Sequence, residues 1–284
     1  MRVINTLQCL WSYFLSLFFF LFVHHLPTFV SVEPANYCQL RCPECPVGQR
    51  VHANNKAKHM PLEVFSSLLE QVGKTAHTMQ FYFQGEPLLH PQLPLMIASA
   101  HAVGLYTIVS TNAQALTAEL ADALVRSGLN RIIVSIDGFA QDSYSAYRVG
   151  GSLEKALAGL RYLSEARQRH HAHICIELQV LRLQTNENEW QWIRRHYREL
   201  GATRLVFKTA QLYDYQHGHA LMPSNPRYSR YRKTKEGTYR LHRSWIRRHW
   251  VNTPCYRLWS GCVITAEGEV LPCCYDKMGQ YAFG

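Results

Sequence analysis

The sequence contains no repeat of fixed period and no low-complexity tract, which argues against an array of repeated units. Hydrophobic residues are not scarce. They make up 47% of the 284 residues, so the chain lacks the composition of a disordered protein. A chain of this length can bury one large core, or form a main domain with an appendage.

Acidic residues are comparatively few, since 20 Asp and Glu stand against 30 Lys and Arg, for a formal net charge of +10. The excess is local, because the segment from Asn225 to Trp250 contains one acid, Glu236, among many basic residues. Those basic residues are Arg227, Arg230, Arg232, Lys233, Lys235, Arg240, Arg243, Arg247 and Arg248. Such a segment suits an acidic peptide, RNA or an anionic membrane surface, and a solvated face is the alternative without a partner.

Charge is absent from the N-terminal run between Leu7 and Val23. As a helix, this run is slightly shorter than the roughly 20 residues that cross a bilayer. The residues after it, His24 to Thr28, offer no A-x-A cleavage site. We therefore expect residues 1–27 to form a hydrophobic helix that packs on the body or dips into the cytoplasmic leaflet of a membrane. A transmembrane anchor is the alternative. The expected location is the cytoplasm, with peripheral membrane contact through this helix as an option.

The nine cysteines are not spread along the chain as a disulfide framework would require. Most of them lie in residues 38–45 and 255–274, which favours metal ligation in a reducing compartment. Cys38, Cys42 and Cys45 have the spacing C-x3-C-x2-C. Three thiolates can hold a cubane 4Fe-4S cluster and leave one iron open, whereas a structural zinc site normally takes four protein ligands. A zinc knuckle or three unrelated buried thiols are the alternatives.

From Thr28 onward, apolar or β-branched runs alternate with segments of helical period. The strand-like runs begin at Phe29, Met79, Tyr106, Arg131, Ile174 and Arg204, and the helical segments include those that begin at Leu62, Leu116, Leu153 and Trp190. Six strands joined to helices by right-handed crossovers predict an α/β fold, a partial (β/α)6 TIM-like barrel, over residues 28–213. Residues 214–250 are predicted to be a basic linker and residues 251–284 a cysteine-rich segment.

Local signals also mark the helix ends. Thr117 and Ser152 are placed to cap helix N-termini. Four glycines follow helical segments, where a left-handed C-terminal cap is expected. They are Gly73, Gly104, Gly128 and Gly201.

The three cysteines after the first strand resemble the signature of the radical S-adenosylmethionine (radical SAM) enzymes. The resemblance implies that Cys38, Cys42 and Cys45 hold a 4Fe-4S cluster whose open iron binds the methionine moiety of S-adenosyl-L-methionine (SAM). It also implies a six-stranded partial barrel. In that family an electron from the cluster cleaves SAM, and the resulting 5′-deoxyadenosyl radical abstracts hydrogen from a substrate. The chain departs from the family pattern at Glu44, because an aromatic residue usually precedes the third cysteine.

In such barrels, functional residues gather at the C-terminal ends of the strands. The second strand ends in Gln84-Gly85-Glu86-Pro87, which is similar to the GGE motif of the family except that Gln84 replaces the first glycine. A glycine lets the backbone approach a cofactor closely, and the carboxylate of Glu86 can accept hydrogen bonds from its ammonium group. A tight turn before the proline is the alternative explanation for Gly85.

The third and fourth strands end in Ser110-Thr111-Asn112 and Ser135-Ile136-Asp137, whose polar groups suit ribose hydroxyls and a carboxylate. By resemblance to the peptide-modifying branch of the family, Ser135 and Arg148 match positions that contact the cofactor. A guanidinium also suits a carboxylate, although a surface arginine is the alternative. The predicted cofactor-binding residues are Gly85, Glu86, Ser110, Asn112, Ser135, Asp137 and Arg148. Gln179 and Lys208, on the fifth and sixth strands, are interpreted as pointing into the barrel.

Residues 263–271 read as a β-hairpin around Ala266-Glu267-Gly268. The spacing from Cys255 through Gly268 to Cys273, C-x12-G-x4-C, resembles the opening of the SPASM domain, the cysteine-rich extension of radical SAM peptide maturases. That resemblance implies an auxiliary 4Fe-4S cluster at Cys255 and Cys273, with Cys262 or Cys274 as further ligands. A zinc hairpin or a redox pair is the alternative. The SPASM pattern continues with further cysteines, so we expect the chain to be a truncated version of a longer protein.

Together these features predict a radical SAM enzyme of the SPASM branch, supplied with electrons by an external donor and acting on a peptide or protein side chain. Two alternatives remain. One is the same chemistry on RNA, which the basic segment would suit. The other is a non-catalytic zinc-binding module.

Overall fold

A computed structural model describes residues 1–17, 25–49, 57–241 and 255–284, and strands alternate with helices along them. The six predicted strands are β1 (Phe29–Val32), β2 (Thr78–Phe81), β3 (Tyr106–Thr111), β4 (Arg131–Ser135), β5 (Cys175–Arg182) and β6 (Arg204–Thr209). The helices are α1 (Arg2–Ser16), α2 (Leu62–Val72), α3 (Leu93–Ala102), α4 (Ala118–Arg126), α5 (Gln141–Ser145), α6 (Leu153–Arg169), α7 (Trp190–His196) and α8 (Tyr256–Ser260). The predicted α/β class is confirmed.

Strands β1 to β6 lie side by side in chain order, and each pairs with the next in parallel. This order places every carboxyl end at the same edge of the sheet. Two further strands, β9 (Gly261–Ile264) and β10 (Val270–Leu271), extend the sheet beyond β1, so that β10 and β6 are its edges. The sheet is therefore the partial type of barrel that the strand count predicts.

The main hydrophobic core lies between the outer face of the sheet and the helices. Val30 and Val32 of β1 are fully buried there with Phe65 of α2. Ser31 and Gln80 occupy the opposite face of β1 and β2, where Gln80 Nε2 donates a hydrogen bond to Ser31 Oγ at 3.1 Å. Alternation along β1 and β2 thus separates an apolar face that stabilises the fold from a polar face that lines the interior of the barrel.

The predicted caps are largely confirmed. Thr117 Oγ1 accepts a hydrogen bond from Leu120 N at 3.2 Å, and Ser152 caps α6 in the same way. Gly104, Gly128 and Gly201 have positive φ angles, as expected for left-handed caps. Gly73 is the exception, and its prediction was wrong. Its φ is −59° because α2 continues into the following turn without reversing.

Helix α1 packs on the body of the protein. Arg2 Nε donates to Ala76 O and Arg2 Nη2 to Gly73 O, both at 2.8 Å, and Asn5 Nδ2 donates to Leu26 O at 2.9 Å. No helix within the described ranges has both the length and the apolar character needed to cross a bilayer. The second part of the predicted N-terminal run, residues 18–23, lies outside the described residues.

The C-terminal hairpin is present at the predicted position, as β9 paired with β10. Strand β9 also pairs in parallel with β1, and Glu33 N donates to Ile264 O at 2.9 Å. The hairpin is therefore continuous with the main sheet. A second hairpin, β7 (Tyr231–Lys233) with β8 (Tyr239–Leu241), lies in the segment predicted to be a basic linker. The remaining basic residues of that prediction, Arg243, Arg247 and Arg248, lie outside the described residues.

Candidate functional site

The carboxyl ends of the first four strands surround a cavity of about 230 Å³, called the cysteine cavity below. Its lining includes nearly all the predicted site residues: Cys38, Cys42, Cys45, Gly85, Glu86, Ser110, Asn112, Ser135 and Arg148. Cys255 and Cys273 lie elsewhere, and Asp137 lies behind the lining. Parallel strands bring these distant parts of the chain to one place because they all end at the same edge of the sheet.

Residues 38–45, the cysteine loop, present two of their sulfurs to polar neighbours. Cys38 Sγ accepts hydrogen bonds from Asn112 Nδ2 at 3.3 Å and from Leu40 N at 3.4 Å. Arg148 Nη1 lies 3.9 Å from Cys42 Sγ. Burial raises the pKa of Cys38 to about 12 and that of Cys42 above its usual value. Thiolates at these positions therefore need a cationic partner to compensate their charge.

Two glycines permit close approach of the backbone around this loop. A Cβ on Gly48 would lie 2.5 Å from Cys42 O, and a Cβ on Gly85 would lie 1.8 Å from Ala35 O. Close approach was expected at Gly85 toward a cofactor. The structure shows that the nearest atoms are protein backbone, since the loop after β2 packs directly against residues 35–37, just before the cysteine loop.

Arg148 is held by a buried ion pair. Its Nε donates to Asp137 Oδ2 at 2.6 Å, and the exposed fractions of the two side chains are 15% and 0%. Asp137 Oδ1 accepts a second hydrogen bond from Leu181 N at 2.6 Å. Burial by itself would lower the pKa of Arg148, but Asp137, together with smaller contributions from Cys42, Tyr147 and Tyr144, raises it. Because both oxygens are engaged and the residue does not line the cavity, Asp137 positions Arg148 instead of facing a ligand.

Glu86 is also buried, and its carboxylate is used within the protein. Oε1 accepts hydrogen bonds from Thr111 Oγ1 at 2.6 Å and Leu88 N at 3.2 Å, and Oε2 accepts one from Asn112 N at 2.9 Å. Burial raises the pKa of Glu86, and these donors oppose the increase. The carboxylate therefore fixes the end of β3, where Ser110 and Asn112 line the cavity.

The two residues that depart from the family pattern have specific partners. Glu44 Oε2 accepts a hydrogen bond from Tyr213 N at 2.7 Å, and its Oε1 lies 3.3 Å from His219 Nε2. Gln84 Nε2 donates to Lys277 O at 2.7 Å. Neither contact could be predicted from neighbouring residues, because each partner comes from a distant segment.

A small hydrophobic cluster supports the same region. It joins the cysteine loop to the segment after β6 and to β7, and its buried members are Leu40, Cys42, Tyr147, Leu183, Ala210, Leu212, Leu221, Met222 and Tyr231. Tyr231 OH donates to Leu212 O at 2.9 Å, which anchors β7 there. Gln179 lies opposite Ser135 in the β4–β5 register, whereas Lys208 is exposed, and neither lines the cysteine cavity.

A larger cavity of about 700 Å³ adjoins the first and is called the large cavity below. The residues shared by the two linings are Cys38, Leu40, Phe83 and Gln84. Glu33, which sequence reasoning missed, also lines the large cavity. Burial raises its pKa to about 7, opposed by hydrogen bonds from the amides of Ala266, Gly85 and Gln84. Glu33 continues the polar face of β1 that Ser31 occupies, and only the structure shows that its carboxylate is held by amides from two distant loops.

The C-terminal cysteines are arranged differently from the predicted pair. Cys262, Cys273 and Cys274 line a small cavity of about 20 Å³ beside β1. Cys255 is exposed at the N-terminus of α8 and is not part of that lining. Cys262 belongs to the main hydrophobic core, and burial raises its pKa to about 11.

The residues of the cysteine cavity fit a 4Fe-4S cluster with SAM better than they fit a single ion. Within the described ranges, no three His, Cys, Asp or Glu side chains are gathered as ligands of one metal ion. A cubane cluster does not require that, because each cysteine binds a different iron. The donor set also fits, since three thiols share the cavity with a guanidinium and hydroxyl and amide groups.

Comparisons with known proteins agree with this geometry. The family model described as "Radical SAM superfamily" matches residues 32–193. An AdoMet-dependent heme synthase of Methanosarcina barkeri is 30% identical over 149 residues, which are 49% of this chain and 40% of that protein. A PqqA peptide cyclase of Streptomyces rochei is 24% identical over 87% of this chain and 69% of its own length. The chain thus spans well under the full length of these curated relatives.

Solved structures show the same fold. SuiB of Streptococcus suis, bound to S-adenosylmethionine, superposes with a TM-score of 0.67 at 13% identity, over 91% of this chain and 63% of SuiB. The enzyme anSMEcpe with bound AdoMet has a TM-score of 0.61 at 16% identity, over 91% of this chain and 77% of its own. At these identities the likeness is evidence for the fold.

Proposed function

Because this chain belongs to the radical SAM superfamily, we propose that it is an enzyme that uses a 4Fe-4S cluster and SAM to modify a peptide or protein side chain. When bound, these cofactors would supply an electron to cleave SAM and a 5′-deoxyadenosyl radical to abstract hydrogen from the substrate. One observation carries the proposal. Three thiols and a largely buried arginine share a single cavity at the carboxyl ends of the strands.

The residues of the cavity have distinct roles in this proposal. Cys38, Cys42 and Cys45 would hold the cluster, and Arg148, oriented by Asp137, would bind a carboxylate of SAM. Ser110, Asn112 and Ser135 offer hydroxyl and amide groups to the polar parts of SAM, next to Gly85 and Glu86. The low exposure of most of this lining would keep water away from a reactive intermediate.

The names of related proteins favour a peptide substrate. One curated relative is a PqqA peptide cyclase, and matched structures include SuiB bound to the precursor peptide SuiA and anSMEcpe with a Cp18Cys peptide. RNA remains the second candidate, because Arg232 and Lys233 of β7 and Arg240 of β8 are exposed on one hairpin. Salt-sensitive retention on RNA, lost when these three are changed to Gln, would favour it over a peptide.

Three further parts of the proposal concern the electron donor, an auxiliary cluster and the location of the protein. An external electron donor belongs to the proposal, because a cluster that gives an electron to SAM must be reduced again before the next cleavage. An auxiliary 4Fe-4S cluster at Cys255 and Cys273 is proposed from the SPASM-like spacing, and Cys262 and Cys274, which share a small cavity with Cys273, are the further candidate ligands. We also propose a cytoplasmic location, with peripheral membrane contact through the apolar side chains that α1 exposes, such as Leu7 and Trp11.

Anaerobic purification tests the proposal directly. We expect a brown protein with about four irons per chain, or about eight if an auxiliary cluster is present. Cys42→Ala should lose iron and reductive cleavage of SAM. Cys175→Ala, at a free cysteine on β5 outside the cavity, is the matched control and should keep both. A colourless wild-type protein that contains zinc would instead establish the zinc-binding module.

A further inference from the structure

Glu44 and Gln84, the two departures from the family pattern, belong to one chain of contacts. Gln84 Nε2 donates to Lys277 O at 2.7 Å, and Lys277 Nζ donates to Tyr213 OH at 2.9 Å. Tyr213 N in turn donates to Glu44 Oε2 at 2.7 Å. The loop after β2 is thereby connected to the cysteine loop through two residues from elsewhere in the sequence.

These contacts place a C-terminal segment across the end of the sheet. Gln84 follows β2 and Tyr213 follows β6, and three strands lie between them in the sheet. Because Lys277 contacts both Gln84 and Tyr213, the segment that contains it crosses the open end of the curled sheet. Residues 273–279 are called the strap below.

The strap separates two cavities. Lys277 and Met278 line the large cavity of about 700 Å³ on one side and an apolar cavity of about 570 Å³ on the other. The large cavity is the one that reaches Cys38 and Gln84, and so adjoins the cysteine cavity. The position of the strap therefore decides how wide the space beside the cysteines is.

Gln84 is placed to control that position. Its side chain lines both the cysteine cavity and the large cavity. The Nε2 atom holds the strap, whereas Oε1 is buried without a hydrogen-bond partner, so the contact with Lys277 is the only described polar contact of this amide. The glycine that the family pattern has at this position has no side chain to make that contact.

We propose that Gln84 and Glu44 are positioning residues that hold the strap as a wall of the large cavity, and that this wall limits the size of the molecule that reaches Cys38. The inference rests on the proposed function only in taking the large cavity as the route of the substrate. The wall itself can be measured in the cluster-free protein.

Hydrogen exchange of the full-length, cluster-free protein tests whether Gln84 holds the strap. Loss of one partly buried hydrogen bond in Gln84→Ala should make the amides of residues 273–279 exchange roughly fivefold faster. Gln71→Ala is the matched control, because Gln71 is exposed on α2 and its side chain donates a hydrogen bond to Ser67 Oγ of the same helix, at 3.4 Å. That variant should leave the exchange of the strap unchanged.

Alkylation of Cys38, followed by peptide mass mapping, tests whether the strap limits size. Iodoacetamide is the small probe and fluorescein maleimide the bulky one. In both Gln84→Ala and Glu44→Gln, the alkylation rate with the bulky probe should rise relative to the rate with the small probe. Glu44→Gln is included because an amide is a weaker hydrogen-bond partner for Tyr213 N and His219 than a carboxylate. A general loosening of the fold would accelerate both probes equally.

Unchanged strap exchange in Gln84→Ala, or an unchanged ratio of the two alkylation rates, would overturn the inference. A failure of the proposed function is distinguishable from either result. In that case the reconstituted wild-type protein would not cleave SAM, while the exchange and labelling measurements would still report on the strap.

Discussion

The buried ion pair between Asp137 and Arg148 should be one of the most costly interactions to break in this protein. Asp137→Ala would leave the guanidinium of Arg148 and the amide of Leu181 without their acceptor, since each donates to one carboxylate oxygen at 2.6 Å. Removal of one partner of a buried pair costs about 3–5 kcal/mol. The orphaned amide costs about 1–3 kcal/mol, and the two terms overlap. We therefore expect the free energy of unfolding to fall by about 4 kcal/mol.

Urea denaturation of the cluster-free protein, followed by circular dichroism, measures this loss without any contribution from cofactors. Four proteins are needed: the wild type, Asp137→Ala, Arg148→Met and the double variant. The double variant should lose less than the sum of the single variants, because no buried charge is left unpaired. The control is Glu165→Ala, which breaks the exposed pair with Arg161 at 3.8 Å and should cost less than about 0.5 kcal/mol.

Two results would refute this reasoning. One is a loss in Asp137→Ala no larger than that in Glu165→Ala, which would mean that the pair is effectively solvated. The other is strict additivity in the double variant, which would mean that Asp137 and Arg148 do not stabilise each other. If the reasoning holds, reconstituted Asp137→Ala should also bind SAM more weakly, because Arg148 is no longer held toward the cavity.

Three further predictions concern stability. Burial raises the pKa of Glu33 to about 7, from an unfolded value near 4.5. Between about pH 4.5 and about pH 7 the folded state therefore binds more protons than the unfolded state. The free energy of unfolding should fall as the pH rises through this range. Glu33→Gln should abolish that fall when urea midpoints at about pH 4.5 and about pH 7.5 are compared with the wild type. Gly85→Ala should lower the free energy of unfolding by about 1–3 kcal/mol or more, because the Cβ of the alanine would lie 1.8 Å from Ala35 O. A urea midpoint equal to that of the wild type would contradict this close approach. Thr117→Ala should cost about 1 kcal/mol through loss of the N-cap of α4, and an unchanged thermal midpoint would show that the cap contributes nothing.

Local patterns predicted most of the secondary structure. The helical period that begins at Leu62 corresponds to α2 (Leu62–Val72), and the apolar runs from Phe29 and Arg131 correspond to β1 and β4. These predictions succeed because the burial of one face imposes its period directly on neighbouring residues. The cap predicted at Gly73 was wrong, because a glycine permits the left-handed conformation without requiring it.

Site residues were predictable in so far as strand ends could be located. Ser110, Asn112 and Ser135 line the cysteine cavity because each stands at or next to the end of a strand. The direction of a side chain was not predictable in the same way. Asp137 follows β4 as its pattern suggested, but it is buried against Arg148 and Leu181, because both of its oxygens find donors inside the protein.

Two patterns in the amino-acid sequence, the spacing of Cys38, Cys42 and Cys45 and the alternation of strands and helices, were enough to predict the family and the edge of the sheet that carries the site. Both are local, since they depend on residues a few positions apart. The contacts of Glu44 and Gln84 could be identified in the folded chain alone, because their partners are 169 and 193 residues away in sequence. The curl of the sheet brings those segments together, and no pattern of neighbouring residues records a contact that depends on it.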